Sequence, residues 1–189
     1  MRGVISEKLK DFIQQANISA AEARSNGVQL SPRLVRENIE KLAVFIGEGP
    51  EISYVNDKEL TTPTHTIAVR IYSPAPNENL PVVLHYHGGG HMCGNIELYD
   101  TICRKIAQAG HCIVISVEYR LAPEFPYPNG IDDCQFALEN YKSVLDDINF
   151  NEQLIIAGDS GGGAICTTIA SKNINNNAVN IDKQILIYP

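Results

Sequence analysis

One short segment constrains the fold of this chain more than any other: an apolar run that leads directly into the sequence GDSGGG. Leu154 to Ala157 has the length of a buried strand, and Ala164 to Ala170 after the glycines starts a helical pattern. Ser160 therefore lies on a tight turn from strand to helix. Gly158 and Gly162 flank it in a G-x-S-x-G pattern, because larger side chains would collide where the strand and the helix approach each other.

A serine on such a turn presents its hydroxyl away from the sheet. Ser160 can act as a nucleophile if a base removes its proton, and the amide of Gly161 would point to the position where an oxyanion forms. Asp159 is expected to support the turn through hydrogen bonds and not to act as the base, because neighbouring side chains on such a turn diverge. Taken alone, the pattern also fits a phosphate-binding turn or a simple corner between a strand and a helix.

A second glycine run follows an earlier apolar segment in the sequence LHYHGGG. Three consecutive glycines, Gly88 to Gly90, leave backbone N–H groups unshielded, so that they can face a ligand. A loop of this kind paired with a G-x-S-x-G serine is typical of lipases and esterases.

Three motifs together resemble the hormone-sensitive-lipase-like (bacterial family IV) esterases of the α/β-hydrolase superfamily. They are HGGG at His87 to Gly90, YRLAPE at Tyr119 to Glu124 and GDSGGG at Gly158 to Gly163, in the order of that family. The resemblance covers roughly residues 50 to 189. It implies an α/β-hydrolase fold and the hydrolysis of carboxylic esters with small to medium acyl groups, without a cofactor.

The resemblance also assigns roles to single residues. Ser160 would be the nucleophile, and Gly89, Gly90 and Gly161 would form the oxyanion hole. Three residues would support them: His87, Gly88 and Asp159. His85 and His87 lie two positions apart, as a pair of metal ligands on a strand would, but no third ligand accompanies them, so we expect no metal.

Composition excludes several classes of protein. The net charge is −7, from 15 basic and 22 acidic residues without a basic tract, which argues against a nucleic-acid partner. The charged N-terminal sequence and the lack of a long apolar run predict no signal peptide, no membrane span and a cytoplasmic location. The five cysteines are odd in number and form no C-x-x-C pair, so reduced, mostly buried thiols are expected.

Residues 1–48 are predicted to form a helical cap segment, and residues 49–189 the hydrolase core. Ser31 and Pro32 are typical of a helix start, and Gly47 of a helix end. In the family that the sequence resembles, such helices cover the active site. The N-terminal helices of this chain could equally be simple packing helices. A polar loop is predicted from Asn173 to Asp182.

The core is predicted to alternate strands with helices, which implies a mostly parallel, doubly wound sheet. The predicted strands are Thr66 to Tyr72, Leu80 to His85, His111 to Glu118, Leu154 to Ala157 and Gln184 to Tyr188. The predicted helices are Asp100 to Gly110, with Asp100 as the cap, Ile131 to Leu145 and the one after Ser160.

The chain has no histidine after Ser160, and Asp182 is its only later carboxylate. Because the α/β-hydrolase triad runs Ser, Asp or Glu, His along the chain, we interpret the sequence as an esterase that lacks its C-terminal strands and helices and is inactive alone. The alternatives are a receptor-like, non-catalytic relative and a degenerate fragment. Ile185 to Tyr188 would form an exposed apolar edge, open to self-association or to a complementing C-terminal fragment.

GDSGG also surrounds the nucleophile of chymotrypsin-like proteases, and His111-Cys112 is similar to a pair in that family. The predicted strand-to-helix turn and the alternation of helices and strands argue against this alternative. The expected partner is therefore a small-molecule ester.

Overall fold

A computed structural model describes residues 5–29, 31–176 and 179–189. Residues 1–4 and 30 of the predicted cap segment, and residues 177–178 of the predicted polar loop, lie outside this description. The helices are α1 (Glu7–Ser25), α2 (Pro32–Glu40), α3 (Ile96–Gly110), α4 (Asn129–Asn140) and α5 (Gly161–Asn176). The strands are β1 (Tyr54–Thr61), β2 (Thr66–Ser73), β3 (Leu80–Tyr86), β4 (Ile113–Val117), β5 (Phe150–Asp159) and β6 (Lys183–Ile187).

The six strands form one sheet in the order β1-β2-β4-β3-β5-β6. The last four strands in that order pair in parallel, and β1 and β2 are antiparallel to their neighbours. The predicted doubly wound, mostly parallel sheet is thereby confirmed. The alternation of β-strands and helices produces it, because a parallel strand can be reached only through a crossover connection.

Helices cover both faces of the sheet. The larger apolar cluster joins one face to α4 and α5, with Leu84, Ile115, Leu138 and Ile165 each buried. The smaller cluster joins the other face to α3 and includes Cys103, which is fully buried. None of the helices in the described part of the chain has the length and apolar content that crossing a membrane requires.

Several predicted elements differ in their limits, and α5 continues to Asn176, inside the polar loop predicted from Asn173. The strand from Thr66 is preceded by β1, which the sequence did not predict separately. Polar residues lie on both faces of β1, so its apolar signal is weak. Asp100 does not cap α3. Asn95 does, with its Oδ1 atom accepting a hydrogen bond from Leu98 N at 2.7 Å, whereas Asp100 lies inside the helix and accepts one from Arg104 Nε at 2.6 Å.

The predicted helix to Leu145 is also shorter, because α4 ends at Asn140 and a 3-10 helix continues from Tyr141–Val144. The strand predicted from His111 begins at Ile113, because His111 ends α3 in a left-handed conformation.

The N-terminal region is helical, as predicted. Ser31 Oγ accepts a hydrogen bond from Leu34 N at 3.3 Å, which confirms the predicted start of α2. This helix gives way to a 3-10 helix, Lys41–Phe45, and Gly47 follows with a φ of 71°. The rings of Phe12 and Phe45 pack edge to face, with their centroids 5.0 Å apart.

Strands β3 and β5 are neighbours in the middle of the sheet, with Tyr86 opposite Gly158. Both end at the same edge, because parallel strands run in one direction. The two glycine segments of the sequence directly follow these strand ends, so the sheet brings them together at one crevice.

Candidate active site

Ser160 forms the turn between β5 and α5. Its φ is 47°, a left-handed conformation that non-glycine residues adopt at a cost. Its N–H donates to the carbonyl oxygen of Ile187 at 2.9 Å, and its own carbonyl accepts from Ala164 N at 3.0 Å. Among the described residues, Ser160 Oγ has no hydrogen-bond partner. The backbone is therefore fixed on both sides, and the hydroxyl is left available.

The flanking glycines are required by the close approach of the neighbouring chain. A Cβ atom at Gly162 would lie 1.9 Å from the carbonyl oxygen of Tyr86, and one at Gly158 would lie 2.5 Å from the Gly162 carbonyl carbon. These distances are below any real contact between such atoms. The G-x-S-x-G pattern is thus explained by steric exclusion between β3, β5 and α5.

The second glycine segment folds into a compact loop beside this turn. Gly89 has a φ of 124°, and its carbonyl oxygen accepts from the N–H groups of Met92 and Cys93, each at 3.1 Å. A Cβ atom at Gly161 would lie only 3.0 Å from the nitrogen of Gly90. The loop and the start of α5 are therefore in direct contact.

The three glycines predicted as oxyanion-hole donors have free amides. In the part of the chain that the structure describes, no backbone hydrogen bond uses the N–H groups of Gly89, Gly90 or Gly161. Unused N–H groups at a helix start and a glycine loop attract negative charge. This arrangement can bind an oxyanion next to Ser160.

Asp159 connects the loop to the turn. Its Oδ1 atom accepts a hydrogen bond from Gly88 N at 3.0 Å, and its Oδ2 atom accepts one from the hydroxyl of Tyr99 at 2.9 Å. The hydroxyl of Tyr188 lies 3.4 Å from the same Oδ2 atom. These contacts agree with the supporting role that the sequence suggests for Asp159 and Gly88.

His87 is completely buried below the loop. Its Nδ1 atom lies 2.8 Å from the carbonyl oxygen of Gly88, and its ring stacks on Tyr119 with 4.3 Å between centroids. Burial lowers the pKa of His87, so the ring is neutral at pH 7. These contacts suit a residue that shapes the loop better than one that transfers a proton.

His85 is buried as well, and desolvation followed by the neighbouring His87 lowers its pKa to about 4. Its Nδ1 atom faces Cys103 Sγ at 3.7 Å. Within the described ranges, no cluster of three or more His, Cys, Asp or Glu side chains is arranged to hold a metal ion.

None of the five histidines hydrogen-bonds to Ser160 in the described structure. His65 Nε2 lies 2.9 Å from Asp133, and His111 Nε2 lies 2.9 Å from Glu78. His91 is exposed on the glycine loop with a φ of 60°. Ser160 therefore has no positioned base among these residues.

The YRLAPE motif forms hydrogen bonds to residues beside the glycine loop and to helix α4. The hydroxyl of Tyr119 donates to the carbonyl oxygen of His87 at 2.7 Å, and Arg120 Nη2 donates to the buried Asp133 at 2.7 Å. Arg36 of α2 reaches the motif, with its Nη1 atom 2.9 Å from Glu124. This ion pair lowers the pKa of Glu124 to about 2, chiefly through the hydrogen bond from Arg36.

A cavity of about 550 Å³ lies between the N-terminal helices and the glycine loop. Its walls are mainly apolar and include Leu9, Phe12 and Phe45 on one side and Gly89 and Tyr99 on the other. The N-terminal helices therefore face a space that is continuous with the loop beside Ser160.

All five cysteines are buried and unpaired, as predicted. The Sγ atom of Cys93 donates to the carbonyl oxygen of Gly89 at 3.0 Å, so this residue packs against the loop. Two residues that hydrogen-bond to the motifs are marked by no pattern in the sequence: Tyr99 and Asp133. Neither lies in a glycine motif, and only the tertiary structure brings them to their partners.

Comparison with known proteins agrees with this geometry. Residues 83–189 match the sequence profile of a protein family that has the alpha/beta hydrolase fold. Esterase LipI of Mycobacterium tuberculosis is 38% identical over 147 residues, which cover 74% of this chain and 45% of that protein. The gibberellin receptor GID1A of Arabidopsis thaliana is 36% identical over 121 residues, which cover 61% of this chain and 35% of the receptor.

Among solved structures, the hyperthermophilic esterase of the archaeon Pyrobaculum calidifontis superposes with a TM-score of 0.84 at 30% identity. The match covers 99% of this chain and 58% of that one. The chain thus spans about half the length of the curated relatives that it matches. With its motifs, its sheet and these matches, the chain belongs to the hormone-sensitive-lipase-like esterase family of the α/β-hydrolase superfamily.

Proposed function

We propose that this chain carries the nucleophile and the oxyanion hole of a carboxylic ester hydrolase. One observation carries the proposal: in the described structure Ser160 combines a left-handed backbone with an unbonded hydroxyl, and the unused amides of Gly89, Gly90 and Gly161 adjoin its turn. The esterase names of the relatives favour the same reaction.

In the proposed reaction, Ser160 Oγ attacks the carbonyl carbon of the ester while a base takes the hydroxyl proton. The carbonyl oxygen becomes an oxyanion, which the three glycine amides stabilise. The C–O bond to the alcohol then breaks, and the alcohol leaves with a proton. Water attacks the resulting acyl-serine, which releases the acid and restores the serine. The scheme requires neither a metal nor an organic cofactor.

We propose that the chain alone turns over slowly. In the described structure no histidine is hydrogen-bonded to Ser160, and loss of the base from a serine triad typically lowers kcat by several orders of magnitude. In the chain order of α/β-hydrolases the acid and the histidine follow the serine, and no histidine follows Ser160 in this sequence.

We further propose that residues 1–48 act as a cap and that the cavity beneath them receives the substrate. The apolar walls and the volume of about 550 Å³ favour esters with small to medium acyl groups. Arg36 fixes this segment to the core, because its guanidinium bonds to Glu124 and to the carbonyl oxygen of Met92, 2.8 Å from Nε. A cytoplasmic location stays a prediction.

The test is hydrolysis of p-nitrophenyl butyrate by this chain and by its Ser160→Ala variant. We expect a slow rate that depends on Ser160, and a large gain when a triad histidine and acid are supplied by a longer version of the chain. Equal rates for the chain and its serine variant, in both the short and the longer form, would contradict the proposal.

A second candidate is a ligand-binding protein without turnover. The match to a gibberellin receptor and the apolar cavity favour it, since both are compatible with binding alone. The same assay on the longer version of the chain distinguishes the two functions. An enzyme hydrolyses the ester, whereas a binding protein retains an apolar ligand and shows no serine-dependent turnover.

Strand β6 is proposed to pair with a further polypeptide strand, from a second copy or from a complementing C-terminal fragment. Ile185 and Ile187 are each 47% exposed, and β6 pairs only with β5 in the described sheet. Exposed apolar edges promote such pairing. A strictly monomeric elution at high concentration, with no binding of an added C-terminal fragment of a relative, would contradict it.

A further inference from the structure

The hydroxyl of Tyr99 closes a ring of three hydrogen bonds between three separate elements. It accepts from Gly88 N at 3.0 Å and donates to Asp159 Oδ2 at 2.9 Å. Gly88 N also donates to Asp159 Oδ1 at 3.0 Å. The ring therefore joins the glycine loop, helix α3 and the turn that holds the serine.

Two members of this ring, Gly88 and Asp159, are neighbours, along the chain, of groups that act in the proposed reaction. Gly88 immediately precedes the donors Gly89 and Gly90, and Asp159 immediately precedes Ser160. A change at the ring would therefore alter the distance between the nucleophile and the amides that stabilise the oxyanion. Displacements of about 1 Å at such a site can lower a rate by as much as about 100-fold.

We propose that Tyr99 is a positioning residue, whose hydroxyl sets the separation between Ser160 and the oxyanion-hole amides. This inference rests on the proposed function and adds a residue to it that neither the motifs nor the triad logic supplies. Tyr99 acts through Gly88 and Asp159, and its own oxygen takes no part in bond making.

The surroundings keep Tyr99 in the protonation state that this role needs. Burial and the adjacent carboxylate of Asp159 raise the pKa of Tyr99 well above its ordinary value, so the hydroxyl remains a donor throughout the physiological range. Its ring packs near two neighbouring rings, with the centroids of His85 and His87 each 5.5 Å away. The hydroxyl is thus fixed in both direction and charge.

No base is hydrogen-bonded to Ser160 among the described residues, and this simplifies the interpretation of the rates. When a member of a serine triad is removed, the residual acceleration comes from the oxyanion hole and from substrate binding. An activated ester such as p-nitrophenyl acetate needs little help for its leaving group. Its slow reaction with this chain should therefore report mainly on the placement of the amides.

The experiment compares Tyr99→Phe with Tyr72→Phe. Tyr72 is a matched control because its hydroxyl also donates to a carboxylate of helix α3, Asp100 Oδ1, at 3.0 Å. Asp100 pairs with Arg70 and makes no bond to the glycine loop in the described structure. We expect Tyr99→Phe to lower kcat for p-nitrophenyl acetate about tenfold with KM unchanged, and Tyr72→Phe to retain the wild-type kcat.

Amide exchange measured by NMR provides a readout that is independent of activity. In Tyr99→Phe, Gly88 N–H loses one of its two acceptors, so its exchange should become several-fold faster, and Tyr72→Phe should leave it unchanged. Unaltered Gly88 exchange in Tyr99→Phe would overturn the inference, whatever the rates are.

The kinetic outcomes separate the inference from the proposed function. If Ser160→Ala removes the reaction but Tyr99→Phe and Tyr72→Phe both react like the wild type, the inference is wrong and the function stands. If Ser160→Ala reacts as fast as the wild type, the proposed function fails for this chain. The exchange rate of Gly88 N–H then remains as the test of whether the Tyr99 hydroxyl holds the glycine loop.

Discussion

The amide nitrogen of Ser160 donates a hydrogen bond to the carbonyl oxygen of Ile187, 2.9 Å away. This bond extends the pairing of β5 with β6 by one residue into the turn, since Asp159 is already opposite Ile187 in the sheet. A backbone in the left-handed region persists when its surroundings hold it there. Strand β6 therefore helps to hold the serine in its strained conformation.

We predict different amide exchange rates for two adjacent residues. Ser160 N–H is bonded to Ile187, whereas Gly161 N–H has no acceptor in the described structure, so Ser160 should exchange at least about tenfold more slowly. Residue-resolved exchange by NMR measures both. Equal rates would show that the turn opens freely in solution.

Gly162→Ala should destabilise the protein severely. The added Cβ atom would lie 1.9 Å from the carbonyl oxygen of Tyr86, and neither backbone can move without disrupting the sheet. We expect a loss of at least about 3 kcal/mol in the free energy of unfolding, measured with urea. The matched control is Gly47→Ala, which has open space and a φ of 71°, and which should cost only about 1 kcal/mol.

Asp133→Ala should cost about 3 kcal/mol of stability, because it leaves Arg120 without its carboxylate partner. Asp133 is 1% exposed and accepts from Arg120 N, Nε and Nη2 at 2.7 to 2.9 Å. Glu152→Ala removes an exposed ion pair with Lys142 instead, and should change stability by less than about 1 kcal/mol. Similar losses for both variants in urea unfolding would contradict this explanation.

The free energy of unfolding should decrease as the pH falls, and His85 should cause part of this decrease. Because burial lowers its pKa to about 4, the unfolded state binds the proton more readily. The stabilisation is complete above pH 6.5 or so and is lost as pH falls towards 4, in total about 3 kcal/mol. The difference in unfolding free energy between wild type and His85→Gln should therefore shrink between pH 7 and pH 4.

The comparison of His85→Gln with the wild type decides whether this cause is right. If His85→Gln and the wild type lose stability in parallel, the buried neutral state of His85 is refuted.

Local patterns predicted the centre of the fold well. The sequence around Ser160 predicts a strand, a turn and a helix because all three depend on residues close together in the chain. The alternation of apolar runs with helical segments likewise predicts the parallel strands β3, β4, β5 and β6. The candidate site follows from the same motifs, since each lies directly after a predicted strand.

The features that were missed depend on contacts between distant residues. Tyr99 meets Asp159 across 60 positions of the chain, and no local pattern marks either as a partner of the other. The cap of α3 was assigned to Asp100 because both Asn and Asp favour this position; only the extended backbone of Asn95, with its φ of −165°, distinguishes them. Strand β1 was missed because polar residues lie on both of its faces, which weakens the alternation of apolar and polar residues.

The burial of the cysteines has a consequence for chemical labelling. Thiolates are the reactive form of cysteine, and desolvation raises the pKa of Cys112 to about 11 and of Cys103 and Cys166 to about 12. Cys93 and Cys134 are shifted in the same direction. An electrophilic probe added to the folded protein near neutral pH would therefore meet almost no competing sulfur. Any covalent adduct formed under these conditions would report on Ser160 with little background from thiols.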